Sequence, residues 1–267
     1  MFPAFNLYHN TYKVKSTNFL NSLHTTFTLA KPILVLKFGT ASITTPKGEL
    51  DEIVIGEIAR QVALIHKDYN LVIVSSGAVA AGKKFLKNYG GTLNEKKAAA
   101  SIGNPLLLNT YAKYFLPHGI AIAQSLCERH HFSNRNQFLQ LKRTYEELWS
   151  SDIIPIANEN DVVSSLELKF SDNDELATLI AAGFGASQIL FSTSVPGVLD
   201  SSGQVIPELD TSDKKVLLLA NKEKSAWGLG KIKAPAPRLS RFLSRRISYP
   251  VICGVIGAAR CDAGFYP

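Results

Sequence analysis

From residue 33 onward, short and almost wholly apolar runs alternate with segments of helical period, and that alternation leaves few architectures open. ILVLKF (33–38), LVIVSS (71–76), GIAIAQSL (119–126), DIIPIAN (152–158), QILFST (188–193) and YPVICGV (249–255) read as buried strands. Between them, ELDEIVIGEIARQVALIHKD carries Ile53, Ile58, Val62 and Ile65 near a 3.6-residue period, and 104–116, 134–150 and 173–183 are also helical. Strands apolar on both sides need cover on both faces, which predicts an α/β fold: a three-layer αβα sandwich around a mostly parallel sheet. VVSSLELKFS (162–171) breaks the pattern, because it alternates like a hairpin.

An open sheet of this kind binds ligands beyond the carboxyl ends of its strands. Lys37 followed by Gly39, the SSGA run at 75–78, NEND at 158–161 and the STS run at 192–194 all fall at such ends. A lysine closing an apolar strand is costly to bury without an anionic partner. SSGAVAAG offers backbone N–H groups at the start of a helix. NEND and KFSDNDELA then crowd Asn158, Glu159, Asn160, Asp161, Asp172, Asn173, Asp174 and Glu175 together, with Lys169 as the cation among them. Capping of a helix start accounts for one or two of these acids, not for the set. Carboxylates so placed need cations or a ligand to neutralise them. Asp161 suits an ammonium, Ser76 and Asn173 a carboxylate, and Lys37 a phosphate oxygen.

Composition excludes other classes. The uncharged run 176–199 is long enough for a bilayer, yet Gly183, Gly185, Gln188 and Pro196 divide it into a helix and a strand, so no membrane span is expected. Cys127, Cys253 and Cys261 have no metal spacing with the six histidines and read as reduced thiols of a cytoplasmic protein. The net charge of +7 gathers after residue 211, where RLSRFLSRR reads as an amphipathic helix with a solvated basic face rather than a nucleic-acid patch. The first 48 residues hold no acid. Residues 1–32 are expected to be a disordered extension, with one domain from 33 to 267.

LVLKFGTASIT, IVSSGAVAAG, LCERHHFSNRNQFLQLKRTYEEL, IIPIANENDVV, KFSDNDELA and WGLGKIKA together resemble the amino-acid kinases, and among them the glutamate 5-kinase branch, without its C-terminal PUA domain. The resemblance implies about eight strands, Mg²⁺, and transfer of phosphate from ATP to the γ-carboxylate of L-glutamate, the first step of proline biosynthesis. It also implies a homo-oligomer and proline as a feedback inhibitor. Catalytic roles fall by resemblance on Lys37, Asp174 and Lys231. Ser76, Gly77, Asn158, Asp161 and Asn173 would hold glutamate, and Lys37, Gly39, Thr193, Ser194 and Lys231 the nucleotide. No residue is implied as a metal ligand. The family's nucleotide loop is shortened here to GLGKIKAPAP, with Lys233 as second match for its lysine. Pro235 and Pro237 interrupt the helix that should follow. The alternative is a non-catalytic, glutamate-binding or regulatory module that has lost nucleotide handling.

Overall fold

The computed structural model describes residues 31–163, 173–192, 204 and the backbone of 251–254, all within the compact unit Lys31–Ile256. The hairpin at 164–171, the loop at 228–237, the basic segment after 211 and the extension before residue 31 lie outside the described residues.

Among the described residues six strands form one sheet: β1 (Ile33–Phe38), β2 (Asn70–Ser75), β3 (Ile122–Cys127), β4 (Ile154–Glu159), β5 (Gln188–Ser192) and β6 (Val251–Gly254). Their order is β3-β4-β2-β1-β5-β6. Each of these pairings is parallel, with Leu34 opposite Leu71 and Gln188 at the centre. The helices are α1 (Thr40–Ile43), α2 (Glu52–Ile65), α3 (Ala78–Gly82), α4 (Leu93–Phe115), α5 (His130–Ser133), α6 (Arg135–Ser150) and α7 (Asn173–Phe184).

The two-residue period of a strand explains the layers. Leu34, Leu36, Phe38, Leu71, Ile73, Ile154 and Ile156 pack against Ile58 and Val62 of α2 and Leu107, Tyr111 and Phe115 of α4. Val35, Val72, Val74 and Ala157 face the other way, onto Tyr145 and Trp149 of α6 and Leu176, Ile180 and Phe184 of α7. Burying each large side chain contributes roughly 1.5–3 kcal/mol, so the expected sandwich follows from the strands' apolar character on both sides.

The uncharged run 176–199 divides as its glycines predict: α7 ends at Phe184 and β5 starts at Gln188. No helix among the described residues is long and apolar enough to cross a membrane. The helix expected over 104–116 begins at Leu93, where Thr92 and Glu95 form a reciprocal capping box. Pro105 lies inside it without ending it.

Trp149 binds the two layers by donating Nε1–H to the carbonyl of Leu71 at 2.9 Å, in a buried setting. Trp149→Phe keeps the ring but leaves that carbonyl unpaired. It is expected to cost about 1–3 kcal/mol in urea unfolding, with no change in ligand affinity.

Candidate active site at the carboxyl ends of the strands

Along β1, Val35 and Lys37 share one face, the face that α7 covers. The second residue of α7 is Asp174, and Lys37 Nζ forms an ion pair with Asp174 Oδ1. The two residues are only 9% and 6% exposed, so each removes the cost of burying the other. Past Lys37 the chain turns at Gly39, whose N–H donates to the Ser192 carbonyl at 3.4 Å. Ser42 Oγ donates to the same carbonyl at 3.1 Å. A Cβ on Gly39 would sit 3.3 Å from Lys37 Nζ, so glycine keeps the space beside the ammonium open. Ser192 Oγ, opposite Phe38 in the register, is buried without a hydrogen-bond partner. Space kept open beside a lysine ammonium, with Ser42 Oγ at its edge, fits an anionic phosphoryl group. Thr193, Ser194 and Lys231, expected on the same side, lie outside the described residues, as do Lys169 and Asp172.

The amides meet in an adjoining cluster. Asn173 opens α7, and its Nδ2 donates to Ser76 Oγ and to Asn158 Oδ1, both at 2.9 Å. The Glu159 backbone N–H donates to Asn158 Oδ1 at 2.9 Å and to Asn173 Oδ1 at 3.3 Å. Asn158 follows Ile154 and Ile156 on the α4 side of β4, and its Nδ2 donates to Asn104 Oδ1 at 2.9 Å. Gly77, at φ +104°, makes the left-handed turn that carries the chain from Ser76 into α3. Beneath it, Ser75 Oγ and the Tyr111 hydroxyl are 2.9 Å apart. Burial pushes the Tyr111 phenol above its ordinary range, which keeps it a neutral partner. Asp161, half-buried, lies in the turn that follows β4.

The structure thus joins Lys37 to Asp174, and Ser76 to Asn158 and Asn173, with the consecutive residues Asn173 and Asp174 linking the two groups. Sequence reasoning missed the clamp around them. Arg129, just after β3, reaches Glu175 at 2.7 Å, and Asn160 Nδ2 donates to Glu128 Oε1 at 3.0 Å. The turn between β3 and α5 therefore holds both the NEND loop and the start of α7. In that turn His131 Nδ1 accepts from the Glu128 N–H at 3.0 Å. Burial, then the neighbouring His130, lowers the His131 pKa from its ordinary value, so the ring is neutral at pH 7.

Among the described residues no group of three or more His, Cys, Asp or Glu side chains could hold a metal ion. The arrangement offers hydrogen-bond donors at one end and an oriented lysine at the other. It can hold one anionic group and neutralise charge on a second.

Comparison with known proteins shows the family and the fold. Residues 32–252 match the model of the amino acid kinase family. A glutamate 5-kinase of Kosmotoga olearia is 37% identical over 203 residues, which cover 74% of this chain and 56% of that protein. One from Oceanobacillus iheyensis is 38% identical over 174 residues, covering 64% of this chain and 46% of its own length. The chain spans about half the length of these curated relatives. Among solved structures, UMP kinase from Ureaplasma parvum superposes with a TM-score of 0.56 at 15% identity, covering 85% of this chain and 91% of its own. Giardia carbamate kinase gives 0.57 at 15% identity, covering 85% of this chain and 93% of its own. At that identity the two structures speak for the fold.

Proposed function

The chain belongs to the amino acid kinase family, and from that premise we propose that it is a glutamate 5-kinase. It would transfer the γ-phosphoryl group of ATP to the γ-carboxylate of L-glutamate, giving ADP and γ-glutamyl phosphate for proline biosynthesis in the cytoplasm. Residues 33–267 would form the kinase domain. The observation that carries the reading is the buried Lys37–Asp174 pair beside the Ser76–Asn158–Asn173 cluster. The similarity to proteins named glutamate 5-kinase supports the choice of substrate.

An ionised γ-carboxylate is already a nucleophile, so this site needs no general base. A bond forms between a carboxylate oxygen and the γ-phosphorus while the bond to the bridging oxygen breaks, and ADP leaves with that electron pair. The protein's part is positioning and charge neutralisation. Lys37 meets the charge on the transferring group, and Asp174 orients Lys37. Ser76, Gly77, Asn158 and Asn173 hold a substrate carboxylate, with Asp161 near its ammonium. Gly39, Thr193, Ser194 and Lys231 belong to the nucleotide side. Mg²⁺ would be carried by the ATP phosphates, whose charge it neutralises. A homo-oligomer and inhibition by proline complete the proposal.

Glutamate-dependent ADP release, with hydroxylamine to trap the acyl phosphate as a hydroxamate, tests it. Hydroxamate that needs both ATP and glutamate supports the kinase. Glutamate binding with no ADP release leaves a binding module instead. Asp161→Asn removes the ammonium's charged partner. It is expected to raise the KM for glutamate about tenfold or more, the scale of one hydrogen bond to a charged group, and to change the KM for ATP less. A larger effect on ATP would reverse the assignment of the pocket.

A further inference from the structure

The polarity of the amide cluster is fixed by one backbone group. A main-chain N–H can only donate, so the atoms of Asn158 and Asn173 that face the Glu159 N–H must both be oxygens. Asn173 then has its Nδ2 left for Ser76 Oγ and Asn158 Oδ1. With its oxygen so committed, Asn158 must offer Nδ2 to Asn104, and Asn104 must answer with Oδ1. Turning over the Asn104 amide would set two donors against each other. The relay therefore has a single direction and ends at Asn104 Nδ2, which is buried with no partner.

Asn104 is also out of character where it stands. It occupies the stripe of α4 that includes Ala100, Leu107, Tyr111 and Phe115, all buried, and is itself 5% exposed. An unpaired buried amide hydrogen is a cost that an apolar side chain of similar size would avoid. The Oδ1 contact to Asn158 is what the polar residue provides in return. Two donors are left over for a ligand. Ser76 Oγ accepts from Asn173, so its own O–H is uncommitted, and Asn158 Nδ2 has a second hydrogen beyond the one given to Asn104. A ligand group there meets donors from both. An ionised carboxylate accepts from both, whereas a carboxamide must either set its N–H₂ against Asn158 Nδ2 or make the Ser76 hydroxyl give up its donation and accept.

We propose that Asn104 is a positioning residue: by locking the Asn158 amide it keeps Asn158 a donor towards the ligand and so makes this end of the site selective for the carboxylate of glutamate that is not phosphorylated. This rests on the glutamate 5-kinase reading, and the test separates the two. Dissociation constants for L-glutamate and for its α-carboxamide are measured by calorimetry on the full chain. The proteins are the wild type, Asn104→Leu, Asn104→Gln, Asn158→Ala and the double variant Asn104→Leu/Asn158→Ala, each checked for a cooperative melt.

Asn104→Leu is expected to weaken glutamate binding about tenfold, the scale of a lost polar contact, and to narrow the preference for glutamate over the amide by a similar factor. Asn104→Gln, which restores an amide oxygen, recovers most of the loss. In the Asn158→Ala background Asn104→Leu adds nothing, because residues that act through one another are not additive. Asn104→Ala, which adds no bulk, replaces the leucine variant if that one does not fold, with the same expectation. A folded Asn104→Leu or Asn104→Ala protein with wild-type affinity and preference overturns the proposal, and so do effects of Asn104→Leu and Asn158→Ala that multiply. If the wild type binds glutamate but yields no hydroxamate, the kinase reading falls while the affinities still decide the relay. A wild type that does not bind glutamate at all overturns both.

Discussion

Lys37→Ala is expected to lower kcat by about two orders of magnitude or more, the scale of removing one preorganised donor from a transition state. The KM for glutamate should change little, because Ser76, Asn158 and Asn173 are joined to one another without Lys37. Asp174→Asn should act in the same direction and less strongly, since it frees the lysine rather than deleting it. Lys37→Ala also leaves the Asp174 carboxylate buried without its cation, so the melting temperature should be measured beside the rate. A folded Lys37→Ala with unchanged kcat in the hydroxamate assay would remove Lys37 from the chemistry.

Gly103→Ala should give the largest loss of stability for the smallest chemical change. A Cβ at Gly103 would lie 1.7 Å from the Ala78 carbonyl oxygen, and one at Gly82 would lie 1.9 Å from the Ala99 carbonyl oxygen. Both obstacles are backbone, so α3 and α4 would have to move apart. Overpacking of that kind costs roughly 1–3 kcal/mol and at times more, to be read from the urea midpoint. Because α3 follows directly on Ser76 and Gly77, and Asn104 follows Gly103, the glutamate KM should rise as well. Gly56→Ala is the control. Its new Cβ would meet the Tyr114 ring at 3.0 Å, a side chain that can shift. A Gly103→Ala protein as stable as Gly56→Ala would show that the helix crossing tolerates separation.

The sheet and the site were legible to different depths. Each strand expected from an apolar run appears within a few residues of its place, because a strand buried on both faces has to be written in such runs. The first half of α4 was hidden. Its buried face there is Ala99, Ala100 and Gly103, small residues chosen for contact with the α3 backbone, and they give no apolar period to read. Lys37, Ser76, Asn158, Asn173 and Asp174 were visible because each is a polar group at a strand or helix end. Asn104 and the Arg129–Glu175 pair were not. Asn104 is a single polar residue within a buried stripe, and Arg129 finds its partner 46 positions along the chain, a distance no local pattern encodes. The Asn104 position did leave one trace: a lone amide in register with Leu107, Tyr111 and Phe115.

The order of the strands also sets a timetable for the nascent chain. β1 is central, but its neighbour on one side is β5, and Ser187 donates to the Ile33 carbonyl across 154 residues of sequence. At bacterial-to-eukaryotic elongation speeds of about 5–20 residues per second, one edge of β1 waits roughly 8 to 30 seconds for its partner to be synthesised. During that interval ILVLKF presents open backbone groups of the kind that recruit other chains. Lys37 interrupts that hydrophobic run, as a gatekeeper charge would, before Asp174 has emerged to meet it. The residue proposed to hold a phosphate would thus serve the ribosome-bound chain first, as the charge that discourages it from aggregating.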